Sequence, residues 1–277
     1  MIIKAYAKIN LTLDIIGRRQ DGYHILDSVF QSVGLFDTLE IKKDDEISVK
    51  CDGVKQQNNT AFIAANEFFN ETGIVSGVSI KIHKNIPFLS GLGGGSADAA
   101  AVITALDKIY ETNLNADRLN KLALRCGADV PFCLTGGTSR IGGIGEEVKR
   151  LTGIEGFWVV IVKEGEKKST ADMYRRLDDI GASSAFTAEF IRCIGSCDYA
   201  GAFSSMGNAF AQVAADENLI SVLRKQNPLG ASLSGSGPSH FAVFPDKTSA
   251  LFAADNLKKS GFMPFAVPFV NSGYNME

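Results

Sequence analysis

Ile86-Pro87-Phe88-Leu89-Ser90-Gly91-Leu92-Gly93-Gly94-Gly95-Ser96-Ala97-Asp98-Ala99-Ala100 is the stretch on which the reading of the chain turns. Its glycines let the backbone approach a ligand closely and aim successive N–H groups at one spot. The small residues from Ser96 onward predict a helix to about Tyr110, whose positive end completes an anion cradle, most naturally for phosphate. A glycine-rich turn without a ligand is the plain alternative. No Gly-Lys-Ser/Thr follows, so this is not a P-loop. Gly91-x-Gly93 with Glu111 downstream has the outline of a dinucleotide fingerprint. Glu111, however, falls at the end of the predicted helix instead of a second parallel strand, and the preceding segments read as antiparallel strands. Asp98 reads as a first-turn charge suited to the helix dipole. Ser96 reads equally as a cap and as a phosphate or magnesium contact.

Toward the N-terminus, Ala5, Ala7, Ile9, Leu11, Leu13 and Ile15 alternate with Tyr6, Lys8, Asn10, Thr12 and Asp14, which predicts one long strand. The apolar row fixes its register, and Lys8 and Asn10 then project together from the other face, one pleat apart. Asp21-Gly22 marks a turn, and Tyr23-His24 sits at its exit. Strands are expected around 28–33, 38–42, 46–51 and 78–84, with helices over 60–71 and 117–126, the latter capped by Asn115. From Phe157 the pattern restarts. Phe157–Lys163 is almost wholly apolar and should be a central strand. Helices are expected over 170–178, 187–194, 209–225 and 249–259, and strands over 231–234, 240–244 and 265–270. Stripped of its extra helices, this half reads β-α-β-β-α-β, a ferredoxin-like split unit.

The 277 residues are 45% hydrophobic and 21% charged, the balance of a globular chain with room for two domains. A net charge of -3 argues against general nucleic-acid binding, which needs a basic surface. Five cysteines without a C-x2-C pair, and three histidines, speak against a disulfide framework or structural zinc and for buried thiols in a reducing compartment. The start, Met1-Ile2-Ile3-Lys4-Ala5-Tyr6, alternates instead of joining a basic end to an apolar run, and no stretch of about 20 apolar residues could span a bilayer. A cytoplasmic protein without membrane contact is expected.

Two further stretches carry chemistry. Asp129, in Gly127-Ala128-Asp129-Val130-Pro131-Phe132, is a carboxylate in an apolar setting, either bonded to backbone N–H groups or held for reaction. Gly230–Ser239 reads as a tight hairpin of small residues that admits close approach by another loop or a ligand.

Taken together and in order, Ala7-Lys8-Ile9-Asn10-Leu11, Asp21-Gly22-Tyr23-His24, Gly91-Leu92-Gly93-Gly94-Gly95-Ser96, Gly127–Phe132 and Ser234-Gly235-Ser236-Gly237 make the chain resemble the GHMP kinases over essentially its whole length. Within that superfamily it resembles the 4-diphosphocytidyl-2-C-methyl-D-erythritol kinases of the non-mevalonate isoprenoid pathway. The resemblance implies an α+β fold of two domains. The first, 1–153, would be a ribosomal-protein-S5-domain-2-like GHMP kinase domain with the ATP phosphate loop. The second, 154–277, would be the ferredoxin-like GHMP kinase domain. It implies ATP and Mg2+, a cytidine diphosphate-linked methylerythritol as small-molecule substrate, no nucleic acid or membrane partner, and a monomer or homodimer.

Carried onto this sequence, the resemblance makes Asp129 the general base and Lys8 its cationic partner, with Asn10 beside them in the substrate pocket. Tyr23 and His24 become the cytidine contacts. Thr170 and Tyr174 supply a hydroxyl and an aromatic wall on the substrate's nucleotide part. Pro87, Gly91, Leu92, Gly93, Gly94, Gly95 and Ser96 line the ATP phosphates, and Asn59 the adenine side. The chain departs from the family pattern at Ala97, where a second serine is common, and at Asn208-Ala209-Phe210-Ala211. Rival readings are a homoserine or mevalonate kinase, a non-catalytic metabolite sensor and an RNA-binding module. The Tyr23-His24 turn, the presence of both Lys8 and Asp129, and the acidic balance speak against each in turn.

Overall fold

The computed structural model describes residues 1–181, 184–214 and 217–277. The first half runs β1 (Ile2–Arg18), β2 (His24–Asp44), β3 (Ser48–Cys51), α1 (Thr60–Thr72), β4 (Gly77–His83), α2 (Gly94–Ile109), α3 (Ala116–Cys126), α4 (Val130–Thr135), β5 (Thr138–Gly142) and β6 (Glu147–Arg150). The second runs β7 (Trp158–Lys163), α5 (Thr170–Ile180), α6 (Phe186–Gly195), α7 (Tyr199–Ser204), β8 (Gly207–Asn208), α8 (Ala211–Ala214), α9 (Glu217–Arg224), β9 (Gly230–Leu233), β10 (Ser239–Phe244), α10 (Lys247–Lys259), β11 (Pro264–Pro268) and β12 (Tyr274–Met276). The strands expected over 28–33 and 38–42 are parts of the single long β2. The short α4, β5, β6, α7, β8 and β12 carry too little periodicity to be read from sequence. The helix expected over 209–225 crosses residues 215 and 216, which lie outside the described residues; α8 and α9 flank them.

The first sheet has the order β12-β1-β2-β4-β3, with β5 joined to β2, β6 to β5 and β8 to β1. Two of its short strands, β8 and β12, come from the second half of the chain and clasp β1. The second sheet has the order β11-β7-β10-β9 with antiparallel neighbours throughout, which is the strand order of the expected split unit. Its β7 explains its own sequence. Val160 and Val162 pack under α9 and α10, while Val159 and Ile161 face the first sheet, so both faces are buried.

The apolar row of β1 does not serve one core. Ile3 and Ala5 pack with α1 and α2, Ala7, Ile9 and Leu11 pack between the two sheets, and Leu13 packs with Met173, Leu177 and Phe210. The pairing with β2 shifts register between Tyr6 and Ala7 and again between Asn10 and Thr12. Phe30, opposite Asn10, belongs to the core of Ile3 and Ala5. The first irregularity therefore exchanges faces, and Lys8 and Asn10 turn in toward the helices instead of out to solvent.

Asn59 caps α1 by accepting from the Ala61 N–H at 2.9 Å, and Asn115 caps α3 by accepting from Arg118 at 2.9 Å, as expected for the latter. The five cysteines are free thiols. Among the described residues, no helix is long and apolar enough to cross a membrane.

Candidate active site

The site grows from β1. Lys8 is buried at 4% exposure, and its ammonium donates to Asn10 Oδ1 at 2.9 Å, pairs with Asp129 Oδ2 at 3.2 Å and lies 4.2 Å from the centre of the Phe30 ring. Asn10 is held in turn by donating to Ser28 Oγ at 3.4 Å. Asp129 stands at the N-cap of α4, but its side chain caps nothing. Of its two sequence readings, the backbone-bonded carboxylate is not what the structure has. The carboxylate pairs with Lys8 and remains one-third exposed.

The glycine-rich loop folds over Lys8. The Lys8 N–H donates to the Leu92 carbonyl at 2.9 Å, and a Cβ on Gly93, whose φ is +71°, would stand 2.9 Å from Lys8 Cγ. Helix α2 starts at Gly94 with Gly93 as its cap, so Ser96 lies in the first turn and is not the cap. The second glycine loop is locked onto the first. Ser234 Oγ donates to the Gly91 carbonyl at 3.0 Å, and the Ser239 N–H to the Ser90 carbonyl at 3.1 Å. A Cβ on Gly91 would meet the Ser234 carbonyl oxygen at 2.4 Å. The close approach that small residues permit there is that of loop to loop.

Asp98 is not a first-turn charge. It lies deeper in α2, buried, paired with Lys84 at 2.8 Å, and Lys84 also donates to Asp37. Asp37 in addition accepts from the Asn85 and Ile86 N–H groups at 2.7 and 2.9 Å, and so fixes the chain entering the loop. Burial pushes the Asp98 carboxyl above the usual range despite Lys84. Burial also works against the Lys84 ammonium, but the two carboxylates outweigh it and hold its pKa above normal.

Lys8, Asn10, Lys84, Asp98, Asp129 and the glycine-rich loop border one cavity of about 850 Å3, a size suited to nucleotide-scale ligands. Asn58, Asn59, Thr60 and Pro87 line one region of it, Gly91, Gly93, Gly94, Gly95 and Ser96 the loop, Lys8, Asn10 and Asp129 another part, and Leu13, Leu26, Thr170, Tyr174 and Phe210 a further wall. Tyr174 packs edge-on against Phe210 at 4.9 Å, and burial pushes its phenol up to about 12.

Known proteins place this architecture. The GHMP kinases N terminal domain matches residues 59–137, and the GHMP kinases C terminal domain matches 188–262. The 4-diphosphocytidyl-2-C-methyl-D-erythritol kinase of Caldicellulosiruptor saccharolyticus is 39% identical over 269 residues, covering 93% of each chain. That of Clostridium tetani is 40% identical over 260 residues, covering 90% of this chain and 93% of its own. The chain belongs to the GHMP kinases, in the 4-diphosphocytidyl-2-C-methyl-D-erythritol kinase family. A crystal structure of 4-(cytidine 5'-diphospho)-2C-methyl-D-erythritol kinase matches with a TM-score of 0.83 at 29% identity, over 97% of this chain and 99% of that one. A homoserine kinase from Cytophaga hutchinsonii matches with a TM-score of 0.77 at 19% identity, over 99% and 96%, and shares the fold.

In this GHMP kinase, twelve of the fifteen residues singled out from sequence border the cavity: Lys8, Asn10, Asn59, Pro87, Gly91, Gly93, Gly94, Gly95, Ser96, Asp129, Thr170 and Tyr174. Leu92 does not; its side chain is fully buried in the core of Ile9 and Val159, and only its carbonyl serves the site. Tyr23 is 60% exposed and outside the lining. His24 stands behind the wall, stacked on Tyr174 at 4.4 Å and 9°, with Nε2 2.7 Å from Asp178 Oδ1. Lys84 and Lys167 also line the cavity and belong to none of the stretches singled out from the sequence for chemistry; Phe210 and Ser236, which do lie in such stretches but were given no role there, line it too.

Proposed function

We propose that this chain transfers the terminal phosphoryl group of ATP to the 2-hydroxyl of 4-diphosphocytidyl-2-C-methyl-D-erythritol. The observation that carries this reading is the cluster of Lys8, Asn10 and Asp129 on the same cavity as a helix-terminated glycine loop and an aromatic wall. Phosphoryl transfer asks the protein for positioning and charge stabilisation more than for covalent chemistry. The loop's N–H groups and the N-terminus of α2 supply fixed positive potential for the nucleotide phosphates. Asp129 Oδ2, bonded on one side to Lys8, takes the proton from the acceptor hydroxyl. Lys8 orients that carboxylate and offers its charge to the phosphoryl oxygens. Asn10 fixes the Lys8 ammonium. Asn59 and Pro87 border the region assigned to adenine, and Thr170 and Tyr174 the region assigned to the cytidine part. His24 and Asp178 brace Tyr174 from behind, while Tyr23 would reach the ligand from the surface.

Magnesium, when bound, would supply positive charge to offset that of the nucleotide phosphates. Among the described residues, no cluster of three or more His, Cys, Asp or Glu side chains could hold a metal. The Ser96 hydroxyl, on the cavity lining, is the protein oxygen that would hold the ion. The deciding experiment is ATP consumption measured with the cytidine-bearing substrate, mevalonate and homoserine in parallel. Turnover with the first alone is expected; turnover with either of the others instead would replace the acceptor.

A further inference from the structure

Lys167 is a cation of the site that the mechanism above leaves unused. It lies on the segment between β7 and α5, half-buried on the cavity. Its ammonium donates to Ser236 Oγ at 2.6 Å and to the Gly237 carbonyl at 3.3 Å, both on the second glycine loop. Thr170 Oγ1 stands 3.0 Å from the same Ser236 hydroxyl, so the β7–α5 segment and this loop are tied at one point. Both partners of the ammonium are neutral oxygens. None of the described ion pairs involves Lys167, although Lys8 and Lys84 each have a carboxylate. Burial, and then the charge of Lys8, depress the Lys167 pKa, and the Asp129 carboxylate, which pairs with Lys8 and not with Lys167, opposes them only in part. A half-buried ammonium beside a second cation is costly unless an anion completes it.

We propose that Lys167 is a phosphate-binding residue of this active site, its missing counter-ion being a phosphate group of a ligand in the cavity. The inference rests on the phosphoryl-transfer reading. Two sources share that chemistry: the terminal phosphates of the nucleotide and the diphosphate of the acceptor. Lys167 then joins the β7–α5 segment and the second glycine loop to the charge being transferred or held.

The test compares the full-length protein with Lys167→Met, Lys167→Arg and, as a control, Lys168→Met, an exposed neighbour. Binding of a non-hydrolysable ATP analogue and of CDP is measured calorimetrically, alongside KM and kcat. Losing one charge-assisted contact should weaken binding about 10- to 100-fold in Lys167→Met, with most of it restored in Lys167→Arg and none lost in Lys168→Met. A loss confined to the ATP analogue assigns the nucleotide phosphates; a loss confined to CDP assigns the acceptor diphosphate. Unchanged binding and kinetics in a folded Lys167→Met protein would overturn the proposal. So would a loss that Lys167→Arg does not restore, since that marks a packing role. If the wild type fails to phosphorylate the cytidine substrate but still binds the analogue through Lys167, the acceptor reading falls and this assignment stands.

Discussion

At the residue scale the proposed roles of Lys8 and Asp129 can be tested by separating chemistry from binding. Asp129→Asn keeps the shape of the side chain and its contact with Lys8 but cannot accept a proton. It should lower kcat by at least about 100-fold while calorimetric affinities for both substrates stay within about threefold. A kcat loss below tenfold would assign the base elsewhere. His24 tests the other wall. Its ring stacks on Tyr174 and its Nε2 meets Asp178, so His24→Ala removes the brace of an aromatic surface as well as a polar edge. The KM for the cytidine substrate should rise about 5- to 100-fold, with the KM for ATP unchanged. An equal rise in both would place His24's influence on the whole cleft.

At the element scale the two glycine loops behave as one interlocked unit. Sequence reasoning places Gly93 against the phosphates, yet a Cβ there meets the Lys8 side chain first. Gly93→Val should therefore depress kcat by displacing Lys8, and not only raise the KM for ATP. Gly91 is held more tightly, because the atom its Cβ would strike is the backbone oxygen of Ser234, and its φ is +80°. Gly91→Ala should cost about 3 kcal/mol in denaturant unfolding. Gly73→Ala, left-handed at φ +69° but facing open space at the end of α1, should cost about 1 kcal/mol. Similar losses at the two glycines would mean that the loops part easily.

At the scale of the whole molecule, the buried Asp37–Lys84–Asp98 cluster ties β2, the chain leaving β4 and α2 into one block beside the glycine-rich loop. Lys84→Met would strand two buried carboxylates and should destabilise the protein by about 3–5 kcal/mol. The cluster also sets a pH dependence. Folding raises the Asp98 pKa to about 7 through burial, so the folded state holds this proton more tightly than the unfolded chain. The contribution is fully present below the ordinary carboxylate range and is lost as pH rises toward 7. Asp98→Asn removes that titration. Its stability relative to the wild type should improve steadily between about pH 4 and 7; a flat difference would show that Asp98 is ionised throughout. The same block explains why Asp98 looked like a helix-dipole charge. Its neighbours Asp37 and Lys84 are far away in sequence, and only tertiary packing buries all three together.

What the amino-acid sequence determined by itself is whatever rests on local conformation. The alternation of β1, the almost wholly apolar β7 and the Asn115 cap each express a backbone preference within a few residues, and they appear where expected. The β-α-β-β-α-β order of the second sheet followed from them, whereas the site residues were assigned through the family resemblance. Only the tertiary structure decided that both faces of β1 are covered and what lies on each. A register shift against β2 turns Lys8 and Asn10 into the cleft, and no periodicity in β1 encodes an irregularity set by its partner strand. It also buried the Leu92 side chain, stacked His24 on Tyr174, and brought Lys84 and Lys167 to the cavity. Those placements depend on long-range contacts between chain segments, whereas propensity acts only along the chain.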